Sequence, residues 1–100
     1  MGNEDERILW RVLYMRDLKC YSLAKACGEY LDGELMTQND RRKVMALKAR
    51  VSDKAFKRFV GYYTENLCYS DIAGLEGVRP SSVQRSVHLV EDVIYKNNLF

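Results

Sequence analysis

The sequence predicts an all-α protein of four to six helices, with a helix-turn-helix near its C-terminus. Three observations carry that expectation. Apolar residues recur at helical spacing, and no stretch alternates with period two for long. The one proline, Pro80, stands where a helix can begin rather than where it would break one. Residues 69–87 then place a cap, a turn glycine, the proline and a valine stripe in the order that two crossing helices require.

Asn3 to Tyr21 is the first expected helix. Glu4, Asp5 and Glu6 fall in its first turn, where the helix dipole favours negative charge. Ile8, Leu9, Trp10, Val12, Leu13, Tyr14, Met15 and Leu18 cover more than one stripe, so its own domain, a partner protein or a second copy of the chain is expected to wrap it. Leu23 to Leu31 follows, with Ser22 as candidate N-cap and Asp32-Gly33 as the stop. The pattern leaves open whether this segment continues the first helix.

A third helix is expected from Gln38 to about Arg50, capped by Thr37, with Asp40 in the position of a weaker capping box. Val44, Leu47 and Val51 form its inner stripe, and Arg41, Arg42, Lys43, Lys48 and Arg50 lie outside it. The fourth begins after Ser52 and reaches about Asn66. Phe56, Phe59/Val60, Tyr63 and Leu67 repeat inward, while Lys54, Lys57 and Arg58 are placed facing away. At this spacing the aromatic residues read as core rather than as a base-stacking platform.

The stretch Y-S-D-I-A-G-L-E-G-V-R-P-S-S-V-Q-R-S-V, from Tyr69 to Val87, carries the functional reading. Ser70 is expected to cap a short helix whose apolar positions are Ile72, Ala73 and Leu75, with Asp71 at its positive end. Ala73 is small where the helices must cross, Gly77 can adopt positive φ, and Val78 plugs the turn. Pro80 restarts the chain without needing an amide partner, and Val83, Val87, Val90 and Ile94 make one buried stripe.

With the valines inward, Arg79, Ser81, Ser82, Gln84, Arg85 and His88 remain for the outer surface. The start of the second helix of such a motif enters the major groove, where Arg pairs with guanine, Gln with adenine and Ser with several base edges. Gln84 and Arg85 are the expected base readers, with Arg79, Ser81 and Ser82 on bases or adjoining phosphates and His88 on a phosphate. Ser70 and the amides at its helix end suit a phosphate clamp.

From Phe59 to Val87 the chain resembles the fourth region of bacterial sigma factors and the small phage-type regulators built on it. In that family an aromatic-x-E-x-L segment precedes the helix-turn-helix, and here it reads Tyr63-Thr64-Glu65-Asn66-Leu67. The resemblance spans about residues 52–98. It implies a four-helix fold that recognises promoter-type DNA, often beside RNA polymerase. Nothing before Thr37 resembles the sigma regions that melt promoters or hold the core enzyme, so a stand-alone regulator is expected. The helix running to about Asn98 is longer than the family usually needs.

Charge divides the chain as the motifs do. Residues 1–40 hold five Lys/Arg against eight Asp/Glu, a net −3, whereas residues 41–100 hold eleven against six, a net +5. The expected division is an N-terminal helical segment over 1–36, for oligomerisation or partner contact, and a DNA-binding domain over 37–100. The basic part favours double-stranded DNA, and the acidic, apolar part favours a protein such as RNA polymerase or a homodimer seam. A protein-interaction module on the same fold, aimed at a polymerase, a repressor or a host defence protein, is the competing expectation.

Other classes find little support. There is no Gly-rich phosphate loop, no HExxH and no G-x-S-x-G, the one histidine is expected on an exposed face, and the adjacent Glu91 and Asp92 diverge on a helix, so no catalytic residues and no cofactor are expected. Cys20, Cys27 and Cys68 lack the spacing of a zinc site, and Cys20 and Cys27 on one helix would stand roughly 10 Å apart, beyond disulfide reach. Reduced, part-buried thiols in a cytoplasmic protein are the expectation, with no metal and no membrane contact. The acidic start is unlike a signal peptide, and no apolar run approaches the length of a membrane span.

Overall fold

The computed structural model describes residues 15–100, with side chains from residue 18 onward. Among the described residues five helices follow one another: α1 (Met15–Leu31), α2 (Gln38–Lys48), α3 (Asp53–Thr64), α4 (Tyr69–Glu76) and α5 (Pro80–Lys96). No strand occurs among the described residues. The acidic first turn expected at Glu4–Glu6, and the apolar cover from Ile8 to Tyr14, lie outside them.

Helix α1 runs without interruption past Ser22, which is an exposed mid-helix residue and not a cap. Cys20, Leu23, Ala24 and Cys27 keep one buried face in phase across that point, so nothing forces a break. The helix ends where Asp32-Gly33 predicts. Gly33 adopts φ +74°, and the Glu34 amide returns to the Glu29 carbonyl at 2.9 Å, closing the last turn.

Two further starts follow the local rules. Thr37 Oγ1 accepts from the Asp40 amide at 3.1 Å, and Ser52 Oγ accepts from the Ala55 amide at 3.1 Å. Each cap satisfies an amide that the helix itself leaves unpaired.

Helix α3 is the hub. It packs against α1 on one side and α5 on the other, α4 lies on α5, and α2 bridges α1 and the end of α5. Phe56 and Phe59 are buried at its centre, with Val60 and Tyr63 completing the face. Burying one such ring contributes on the order of 2 kcal/mol. Val44 and Leu47 of α2, Ile72 and Ala73 of α4 and the valine stripe of α5 join the same cluster. So do Cys20, Leu23, Ala24, Ala26 and Cys27 of α1. The described part of the N-terminal segment and residues 37–100 therefore share one core.

Candidate nucleic-acid interface

The pair α4–α5 forms the expected helix-turn-helix. The residue that starts α4 is Cys68, in extended conformation at φ −85°, ψ 168°. The Asp71 carboxylate accepts from the Cys68 amide at 3.0 Å and from its thiol at 2.9 Å. Ser70 therefore does not cap the helix, as the sequence suggested; it is an exposed residue of the first turn. The carboxylate three residues after Cys68 performs the reciprocal half of a capping box, which moves the start two residues earlier.

Of the expected inner positions, Ile72 and Ala73 are buried, but Leu75 is 80% exposed. An eight-residue helix lying on α5 covers only a narrow arc, and Leu75 falls outside it. Gly77 closes α4 in the left-handed region at φ 69°, ψ 34°, donating to the Ala73 carbonyl. Val78 donates to the same carbonyl at 3.0 Å and packs against the core. Nothing lies within 4 Å of where a Gly77 Cβ would stand, so only the backbone conformation demands glycine here.

Arg79 is the exposed, extended residue before α5, and Pro80 is its first helical residue. Val83, Val87, Val90 and Ile94 are all fully buried. Opposite them Ser81, Gln84, Arg85 and His88 are exposed, at positions i, i+3, i+4 and i+7 of a single stripe. At about 1.5 Å per residue the stripe runs roughly 10 Å, close to the width of about 12 Å of a B-DNA major groove. Ser82 does not belong to it. That residue is half-buried, and its carbonyl accepts from Ser86 Oγ at 3.2 Å and lies 3.5 Å from Nη1 of Arg58.

Aromatic rings brace the stripe from beneath. Tyr62 of α3 stacks on Tyr69 of α4, with centroids 4.7 Å apart and planes 12° apart. Tyr69 in turn meets His88 edge-on, at 6.4 Å and 84°. Tyr63 donates its hydroxyl hydrogen bond to Glu91. These contacts tie the start of α4 and the middle of α5 to the hub helix.

The largest correction concerns Arg58. The sequence placed it outward with Lys54 and Lys57, yet only those two are exposed. Arg58 is buried, 6% exposed, with its guanidinium between α4 and α5. Nε donates to both Glu76 carboxylate oxygens at 3.0 and 3.1 Å, and Nη2 to Oε1 at 2.7 Å. Nη1 donates to Ser86 Oγ at 2.9 Å and reaches the Ser82 carbonyl at 3.5 Å. The hydrogen bonds from Arg58 hold the Glu76 carboxyl below its ordinary value against some desolvation, with the charges of Arg58 and Lys54 adding to the effect. One signal in the sequence pointed here: Arg58 shares the i, i+3, i+4 arc of Ala55 and Phe59.

The basic cluster of α2 does not converge on the stripe. Lys48 pairs with Asp53 at 3.2 Å and lies over the Phe56 ring at 4.7 Å. Arg50 donates to Asn97 Oδ1 at 3.2 Å, at the far end of α5, and to the Ala46 carbonyl at 2.9 Å. Arg41 and Arg42 are exposed and Lys43 is half-buried on the same helix.

Comparison of the chain with protein-family models, with curated proteins and with solved structures finds no match. No group of three or more His, Cys, Asp or Glu side chains among the described residues is placed to hold a metal ion. No described helix is long and apolar enough to cross a membrane.

Proposed function

We propose that this chain is a sequence-specific DNA-binding regulator of transcription. Helix α5 lies in the major groove, with Gln84 and Arg85 reading bases and Arg79, Ser81 and His88 on bases or phosphates. Ser70, exposed in the first turn of α4, contacts the backbone. The observation that carries the reading is the stripe Ser81, Gln84, Arg85 and His88, held outward behind a left-handed glycine turn. Such a surface combines donors, acceptors and positive charge at the spacing that groove recognition uses.

The resemblance to the fourth sigma region extends this reading to promoter-type DNA and to action beside RNA polymerase, in a cytoplasmic, phage-type regulator without catalytic activity. A second reading, a protein-binding module on the same motif, draws on Leu75 and Leu89, both exposed on the two motif helices. Selection from a randomised duplex pool separates the two. DNA binding predicts enriched sequences, retention that weakens steeply with salt, and loss of preference at one base position in Arg85→Ala. A chain that retains no duplex even at low salt is not a DNA-binding protein.

A further inference from the structure

We infer that Arg58 is a positioning residue: it sets the angle at which α4 holds α5, and with it the pose of the outer stripe. The consequence for DNA rests on the reading above, whereas the geometry stands without it.

The connection between the two helices is short, and the fully buried residues of α4 are Ile72 and Ala73, with Tyr69 packed on Tyr62 and His88 only at its first turn. Packing along one narrow line resists separation better than it resists rotation about that line. Arg58 supplies a constraint at the other end of α4, far from Tyr69. Its planar fork holds Glu76, the last residue of α4, on one edge and Ser86, in the second turn of α5, on the other. Ser86 Oγ also donates to the Ser82 carbonyl, so the hydroxyl is oriented from both sides. A guanidinium has fixed donor directions, and bonding two elements at once leaves it one arrangement.

Stability alone does not account for such a pair. Desolvating a buried guanidinium is costly, and an apolar replacement of similar volume is often no less stable. What an apolar pair cannot supply is direction. Base readout tolerates displacements of only about 0.5 Å. A rotation that separates Glu76 from Ser86 by more than that carries Gln84, two residues before Ser86, out of register.

The test uses the full chain with Arg58→Met combined with Glu76→Leu, which removes both charges together. Two readouts are taken: amide residual dipolar couplings across α3, α4 and α5, and affinity for a selected duplex against a scrambled one. The couplings of the variant are expected to lose the wild-type orientation of α4 to α5 while each helix persists. The preference for the selected duplex is expected to fall about tenfold, the equivalent of one good base contact. Affinity for the scrambled duplex stays within about twofold, because phosphate contacts are retained. Couplings that keep the wild-type orientation, or an unchanged preference, overturn the inference. A wild-type chain without any duplex preference removes the DNA reading and leaves the couplings to decide the positioning role. Should the double variant not fold, Ser86→Ala keeps both charges and is expected to shift the same couplings; unshifted couplings there overturn the inference equally.

Discussion

Nη2 of Arg58 stands 2.7 Å from Oε1 of Glu76, yet the two side chains meet water differently: the arginine is 6% exposed and the glutamate 32%. This asymmetry predicts unequal costs for breaking the pair. Removing Glu76 strands a buried guanidinium, whereas removing Arg58 frees a carboxylate that water can solvate.

Glu76→Ala is therefore expected to destabilise by roughly 3 kcal/mol, and Arg58→Met by about half of that. Urea denaturation of both variants checks the order. Equal losses, or a larger loss in Arg58→Met, would contradict the assigned burial.

Acid acts on the same pair. The folded-state carboxyl of Glu76 lies below its unfolded value of 4.5. Its contribution is present above that value and is lost as pH falls through the depressed folded value. The stability difference between wild type and Glu76→Gln is expected to be constant from pH 7 to about 5 and to shrink below about 4.5. Denaturant midpoints across that range measure it.

Thiol chemistry divides the cysteines. Cys20 and Cys27 are buried on α1, while Cys68 is partly exposed. Burial pushes the Cys27 thiol up to about 12, with the charge of Lys48 acting weakly in the opposite sense. A labelling reagent at pH 8 is expected to modify Cys68 first and Cys27 only on unfolding. The raised thiol also makes the fold lose stability as pH climbs from about 9 towards 12, since the unfolded thiol ionises first. Cys27→Ala removes that alkaline slope. Mass spectrometry of the labelled native chain reads the order of reaction.

Gly77 isolates a backbone effect. With open space around the missing Cβ, Gly77→Ala is expected to cost about 1 kcal/mol from the left-handed conformation alone. Gly77→Asn, which tolerates that region better, is expected to cost less. Thermal midpoints of the two variants distinguish this from a packing clash, which would penalise the larger asparagine more.

What the sequence determined about this protein is what neighbours along the chain decide among themselves. Thr37 and Ser52 cap because an amide three residues on needs an acceptor. Pro80 starts α5 because it lacks an amide to satisfy, and Gly77 ends α4 because positive φ suits glycine. The valines from Val83 to Val90, with Ile94, share a face because of the helical repeat. Helix content, the turn and the outer stripe were legible for these reasons, and Ser81, Gln84, Arg85 and His88 stand exposed where periodicity placed them.

Tertiary structure decided the rest, because the deciding partner is far away in the chain. Arg58 looked like one of three outward cations until Glu76 and Ser86, 18 and 28 residues on, closed around it. Leu75 looked like core, but the short α4 rests on α5 along an arc too narrow to cover it. Ser82 was expected on the outer surface with Ser81, but it is half-buried beside Arg58. A period of 3.6 residues tells which positions can share a face; only the packing of several helices tells how wide the buried arc of each is, and at its margin a charge, a serine and a leucine exchange places.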